Sequence, residues 1–301
     1  MLTWNPFWPR LVCNFSIEIA LAHIYLGTMT NVLEKRNTAL IKTLKWALWP
    51  IIRHLFQLKI EGLENVPTTG PLLFVSNHNI GALIESHSSL FILQDKLGPS
   101  SIVYGFTHPS IFKIPGIKHY FEWIGAVPAT YEVAEEVFKK GHSLLIFPGG
   151  NRQALRSIWN YRDNHFRWSH GWAKIALEHN VPVIPITFKG SHFVNPVLLS
   201  GEWVSKILVL PWVLGLKWTS ISLGQILSAL LSFYLLKLVG APMFLNIAIT
   251  YLAFVLTPLS IIFPCPIKMN IHAPLRPKDF QDQASLEEAV AKIMDNIYSK
   301  P

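Results

Sequence analysis

Three short apolar runs, each closed by turn residues, constrain this chain more than any other feature. They are Pro71–Ser76 (PLLFVS), Ser143–Phe147 (SLLIF) and Val181–Phe188 (VPVIPITF). Each has the length of a buried strand and is punctuated by Pro, Gly or Asn. Helical stretches lie between and after them. One runs beyond Gly81 through Leu83, Leu90, Phe91 and Leu97, and others cover Tyr131–Lys140 and Trp168–His179. In Tyr131–Lys140, Val133, Val137 and Phe138 share one side, and Glu132, Glu135, Glu136 and Lys139 mostly the other. Charge-free strands alternating with helices predict an α/β fold, a mostly parallel central sheet flanked by helices. Lys59 and its neighbours before the Pro67–Gly70 turn, Ser101–Gly105 and Ile267–His272 are further strand candidates. Pro182 and Pro185 predict an edge or irregular position for the third run. A last helix is expected from about Ser285 to Tyr298, capped at Ala284 or Ser285.

In such sheets ligands bind beyond the carboxyl ends of the strands. The first run ends in Asn77-His78, and the second in Pro148-Gly149-Gly150-Asn151-Arg152. A neutral imidazole there can take a proton from a hydroxyl nucleophile. Glycines let the main chain approach a ligand, and their N–H groups can hold an oxyanion or phosphate.

The surroundings are greasy and basic. Half of the 301 residues are hydrophobic and only 15% are charged, against roughly 25% in a typical soluble domain. Lys and Arg outnumber Asp and Glu 26 to 18. Basic and apolar together point to a membrane surface rather than nucleic acid. Residues 1–57 read as an N-terminal membrane-associated helical segment. Trp46 and Trp49 are mixed with Lys42, Lys45 and Arg53, which suits an interfacial helix, and Pro50 is expected to kink or divide it. The apolar stretch after Arg10 contains Glu18 and no clean cleavage site follows, so it reads as a retained segment rather than a signal peptide. Residues 58–301 form the second unit, with a hydrophobic, membrane-facing region at about 203–263. Gly240–Phe263 carries no charge, and Ile221–Val239 is broken only by Gln225 and Lys237. Two spanning helices, a re-entrant hairpin and a platform on one leaflet all fit. Pro242, Pro258 and Pro264 favour an irregular path. The expected location is a membrane, integral or monotopic, with the active site at its cytoplasmic face.

Taken in order, Asn77-His78, the Phe147–Arg152 glycine block and Val181-Pro182-Val183-Ile184-Pro185 resemble the glycerolipid acyltransferase family. That family carries an NHxxxxD block, a PEGTR or PGG block and a VPVIPV-like strand. The resemblance runs from about Gly62 to Asp279. Pro148-Gly-Gly with Ala154-Leu155 looks most like the diacylglycerol acyltransferase and plant phytyl-ester synthase branches, as do Thr107-His108-Pro109 and Gly125-Ala-Val-Pro128. The family implies transfer of a fatty acyl group to a lipid hydroxyl, with His78 as general base. The partners it implies are membrane lipid and an acyl-CoA or acyl carrier protein donor, which is a co-substrate. No metal, organic cofactor or nucleic acid is expected. By the same resemblance Asn77, Gly149, Gly150, Asn151 and Arg152 line the substrate site, and Arg152 meets a phosphate.

The chain departs from the pattern in two places. The acid of HxxxxD falls on Leu83, and Gln153 stands where PGGxxEAL has glutamate. Glu85 is the nearest acid and the expected partner of His78, with His87 and Asp95 as alternatives. On one straight helix seven positions rise about 10 Å, too far for a bond, unless a loop at Asn79–Gly81 shortens the path. These departures motivate a second reading, a non-catalytic lipid-binding or membrane-shaping protein. Lys189 and His192 read as solvated loop residues. His165, His170 and His179 show no metal spacing, and neither do Cys13 and Cys265. No GxSxG elbow or phosphate-binding glycine loop is present, which argues against a serine hydrolase or a nucleotide-binding protein.

Overall fold

A computed structural model describes residues 32–99, 101–114, 116–164, 168–256 and 262–298. In chain order the elements begin with α1 (Thr38–Leu55), β1 (Lys59–Glu61), β2 (Leu73–Ser76), α2 (Ala82–Leu97) and β3 (Val103–Thr107). Then follow α3 (Ile117–Trp123), β4 (Ala126–Pro128), α4 (Tyr131–Lys139), β5 (Ser143–Ile146), α5 (Gly150–Ala154) and α6 (Gly171–Glu178). The third apolar run is β6 (Val183–Lys189). An excursion holds β7 (Val197–Gly201), α7 (Glu202–Leu208), α8 (Leu210–Val213), β8 (Thr219–Ser222), α9 (Leu223–Leu238) and α10 (Met243–Val255). The chain returns through β9 (Lys268–Ile271) and closes with α11 (Gln283–Asp295).

The main sheet has the order β1-β9-β6-β2-β5-β3-β4. All its pairs are parallel except β6 with β9. This is the α/β architecture that the alternating strands and helices predict. Successive residues of one strand point to opposite faces, and the core divides accordingly. Leu72 and Phe74 pack with Ile41 and Ile52 of α1 and Phe91 and Leu93 of α2. Leu73 and Val75 pack with Val133 and Val137 of α4, Ala173 of α6 and Leu286 of α11 on the other side. The sheet is thus buried on both faces, which is why its strands read as unbroken apolar runs.

Three expectations are narrowed or corrected. The Val181–Phe188 run is an interior strand, not an edge. Its prolines are accommodated by a register slip against β9, from Ile186↔Ile271 to Val183↔Leu275, where Pro185 still accepts from His272 N–H. Pro50 does not divide α1, which runs unbroken from its Asn37 cap to Leu55. The last helix is capped by Asp282, whose carboxylate accepts from Ser285 N–H, and not by Ala284 or Ser285.

No described helix is long and apolar enough to cross a membrane. Among the described residues of the uncharged stretch from Gly240 to Phe263, α10 is a helix of 13 residues. Most of the expected N-terminal membrane segment, with Cys13, and also His165 and Pro258, lie outside the described residues.

Candidate active site

The parallel neighbours β2 and β5 deliver His78 and the glycine turn to the same end of the sheet. The loop after β2 reverses at Gly81, and α2 begins at once, so Glu85 sits in the helix's first turn. That reversal brings Glu85 Oε2 to 3.0 Å from His78 Nδ1. It is the shortening that a straight helix would not allow. Gly81 is needed for crowding alone: an added Cβ would lie 2.9 Å from the Ser191 carbonyl oxygen.

The carboxylate of Glu85 is fully buried and fully engaged. Oε2 also accepts from the Asn79 N–H at 3.0 Å. Oε1 accepts from Asn79 Nδ2 at 2.7 Å and from Ser191 Oγ at 2.5 Å. A negative charge in the first turn also meets the positive end of the helix dipole. With Nδ1–H donated to the carboxylate, the lone pair of the imidazole lies on Nε2. The ring stacks on Phe147, centroids 4.3 Å apart, and the side chain is 14% exposed.

A buried carboxylate gains from a nearby cation, and Arg156 acts on Glu85 at longer range, with Asn79 bonded to both. Its guanidinium is 1% exposed. It donates to the His78 carbonyl at 2.7 Å, to Asn79 Oδ1 at 2.7 Å and to the carbonyls of Gln153, Asn160 and Tyr161. Burial pushes it down from its ordinary value, and Tyr298, Glu85 and Asp163 oppose that shift. Sequence reasoning missed Arg156 and Ser191. Neither falls in an apolar period or a motif, and only the need of a buried acid for partners points to them.

Gln153, read as a departure from the family pattern, is a structural member of the site. Its Oε1 accepts the His78 N–H at 2.8 Å, and its Nε2 donates to the Asn164 carbonyl. Gly149 lies against it: an added Cβ would sit 2.3 Å from Gln153 Cβ. Gly150 is required for a different reason, since its φ is +50°. Its N–H is bonded to the Phe147 carbonyl at 2.9 Å, so it is not open to an oxyanion, contrary to expectation.

The remaining candidates divide. Asn77, expected to meet substrate, is fully buried, and its amide bonds to both main-chain groups of Phe188 at 2.9 and 2.7 Å. It fastens the end of β2 to β6. Asn151 and Arg152 are exposed beside Trp218: Asn151 donates to its carbonyl at 3.0 Å, and Arg152 lies over its ring. Arg152 is also 3.7 Å from Glu202. His87 holds α2 to α3 through the Tyr120 hydroxyl at 2.6 Å, and Asp95 pairs with Lys45. Neither shares the His78 bond network. Lys189 is exposed, but His192 is not a solvated loop residue. It is 1% exposed, and burial aided by Arg156 lowers it to about 3. Among the described residues no group of three His, Cys, Asp or Glu could hold a metal.

Residues 57–189 match a family model described as Acyltransferase. A human "DGAT1/2-independent enzyme synthesizing storage lipids" is 30% identical over 130 residues, which is 42% of this chain and 38% of that protein. A chloroplastic 1-acyl-sn-glycerol-3-phosphate acyltransferase of Brassica napus is 30% identical over 158 residues, 48% of this chain and 41% of its own. Human diacylglycerol O-acyltransferase 2 is 25% identical over 173 residues, 54% and 44% respectively. This chain spans less than half the length of these relatives. The 1-acyl-sn-glycerophosphate acyltransferase structure from Thermotoga maritima aligns over 95% of this chain and 92% of its own, at 18% identity and a TM-score of 0.46.

Proposed function

Residues 57–189 make this chain a member of the acyltransferase family, within the glycerolipid acyltransferases, and on that premise we propose that it moves a fatty acyl group from a thioester to a lipid hydroxyl. The observation that carries the proposal is the His78–Glu85 pair at 3.0 Å, with the carboxylate buried and the outer ring nitrogen left as a base.

The chemistry follows from that pair. The acceptor hydroxyl gives its proton to His78 Nε2 as its oxygen attacks the thioester carbonyl. The carbon–sulfur bond then breaks, and the departing thiolate takes the proton. Such base assistance contributes on the order of 10²–10⁴ in rate. Glu85 holds the ring in the tautomer that leaves Nε2 unprotonated, and stabilises the imidazolium that forms. Asn79 and Ser191 hold Glu85, and Arg156 holds Asn79. Asn151 and Arg152, exposed on the next strand's turn, are placed to meet polar groups of acceptor or donor. The donor is acyl-CoA or acyl carrier protein. The acceptor is a diacylglycerol, a long-chain alcohol or a lysophospholipid, as the names of the relatives and the Pro148-Gly-Gly block suggest.

The protein works at a membrane surface in this reading. Helix α1 supports it, with Trp46 81% exposed beside Lys42, Arg53 and His54. The non-catalytic reading rested on the missing acid at Leu83 and on Gln153. Glu85 at bonding distance of the base, and Gln153 bonded to its main chain, favour the enzyme.

Membranes carrying the full chain, given labelled acyl-CoA or acyl carrier protein and a panel of lipid alcohols, test this. Wild type is expected to form a labelled ester and His78→Ala none. Equal product from both, or none from folded wild type with either donor, overturns the proposal.

A further inference from the structure

The excursion between β6 and β9 lies beyond the residues that match the family model. Within it, α9 and α10 form an antiparallel hairpin whose polarity is inverted. Its amide side chains are inside. Gln225 is fully buried and donates to the Phe254 carbonyl at 2.8 Å. Asn246, 2% exposed, donates to the Phe233 carbonyl at 3.2 Å, and Thr250 donates to Asn246. Its outer surface is apolar: Leu230, Leu231, Phe233, Tyr234 and Leu235 of α9 and Met243–Leu245 of α10 are all exposed.

Two features say what covers this surface. First, the exposed residues are consecutive. At about 100° per residue, Phe233–Leu235 alone sweep about 200° of the helix circumference. A protein partner on one side covers a stripe, not most of the circumference. A solvent of acyl chains covers every side, and demands that polar groups be satisfied internally, as they are here. Second, the root of the hairpin has the composition of a headgroup layer. Helices α7 and α8 brace against α10 through the Tyr251 hydroxyl on the Leu208 carbonyl. They expose Trp203 and Trp212, and the Lys206 ammonium lies over the Trp212 ring at 5.1 Å. Trp and Lys mixed this way mark a lipid–water boundary.

We infer that α9 and α10 insert as a hairpin into the acyl-chain layer of one leaflet, with root and both ends on the same side. The 16 residues of α9 rise about 24 Å, short of the roughly 30 Å hydrocarbon core. Standing upright, it would carry Lys237, fourteen residues into the chain from Leu223, about 21 Å down, past the midplane. The hairpin therefore lies obliquely, and the Lys237 stem reaches back toward the headgroups. The insertion stands whether or not the chain is an acyltransferase. If it is, Asn151 and Arg152, joined to Trp218 and Glu202 beside this root, open the site at the lipid surface.

Depth measurement tests the hairpin in the full chain. Single cysteines at Leu231, Phe244 and, as a control on α4, Lys139 are placed in a Cys13→Ser, Cys265→Ser background. Each is labelled with an environment-sensitive fluorophore and reconstituted in phosphatidylcholine–phosphatidylglycerol vesicles with acyl-chain-brominated lipid. Blue-shifted, bromine-quenched emission is expected at 231 and 244 and not at 139. The same probes in the His78→Ala protein keep the result apart from catalysis. A cysteine at Ala241 is expected to resist a membrane-impermeant thiol reagent from both sides. Three outcomes overturn the inference: no quenching at 231 and 244, cross-linking between two copies through those positions without quenching, or labelling of position 241 from the side opposite the root. Unchanged far-UV circular dichroism identifies the variants that fold.

Discussion

Gln153 Oε1 accepts the main-chain N–H of His78 at 2.8 Å, so the strand end that bears His78 is tied to the helix behind the glycine turn. Gly149 leaves the space for that bond. Gly149→Ala is expected to displace Gln153 and lower kcat, because its φ of −75° is ordinary and only crowding excludes the methyl. Gln153→Ala costs about 1–3 kcal/mol by leaving the His78 N–H without its acceptor. The double variant is the informative one. Alanine at 153 removes the Oε1 and Cδ contacts of the added methyl, at 2.5 and 2.8 Å, and keeps only the one at Cβ, so part of the crowding is relieved and the two stability losses do not add. The expected coupling is at least about 0.5 kcal/mol, read by chemical denaturation. Strict additivity would mean that the Oε1 and Cδ contacts are not what makes Gly149 necessary.

Glu85→Gln keeps the shape of the carboxylate and removes its charge. We expect kcat to fall on the order of 10²–10⁴ with the fold retained. Restoring an acid at the family position does not help. Leu83 is half exposed, and about 160° around α2 from Glu85. Leu83→Asp in the Glu85→Gln background should stay inactive in the ester-forming assay. Recovery of activity would assign the base's partner to position 83.

Arg156 is the buried cation that reaches this acid through Asn79. Arg156→Met leaves the carbonyls of His78, Gln153, Asn160 and Tyr161 and the Asn79 amide oxygen without this donor, and Arg156→Lys offers one point charge where several carbonyls are bonded. Leaving these buried acceptors without their donor costs about 1–3 kcal/mol or more. Urea denaturation should show a loss in that range for Met. Lys should recover only part of it. A loss below about 1 kcal/mol for Met would mark the guanidinium as peripheral.

Acid should destabilise the fold through His192. Its folded value of about 3 lies below the roughly 6.5 of an unfolded histidine. The unfolded chain therefore binds the proton first as pH falls. The stability from keeping this ring neutral is complete above about pH 6.5 and is lost toward pH 3, at about 1.4 kcal/mol per pH unit. His87, His142 and His272 are lowered by burial as well and act in the same direction. Between pH 7.5 and 5, His192→Phe should lose about 2 kcal/mol less than wild type in denaturation midpoints. Identical losses would place His192 in contact with solvent.

The sheet was readable because Pro71–Ser76, Ser143–Phe147 and Val181–Phe188 are buried on both faces, and such burial leaves no room for charge. His78 and Gly149 were readable because parallel strands place their ends together. Glu85 was readable as the nearest acid but not as a bonded one, since its distance depends on where the loop ends and α2 begins. Arg156 and Ser191 were not readable at all. A buried arginine has the same letter as a solvated one, and its role comes from carbonyls contributed by residues as far away as His78. The prolines of β6 signalled its irregular pairing but not its interior place, because the register slip that admits them lies between His272 and Leu275, after β9. The strands β7 and β8 escaped because each is short and lies in the apolar excursion.

Lys189 at the end of β6 and Lys268 at the start of β9 are paired across the two antiparallel strands. Residues 190–267 therefore leave the sheet and rejoin it at a single rung of the ladder. In topological terms the whole excursion is one overgrown loop, and its length can change without altering the strand order. Natural variation or engineering can then lengthen, shorten or replace the lipid-facing part as a cassette beyond Ser191, the loop residue that holds Glu85, while the strand ends that carry His78 and the glycine turn keep their places.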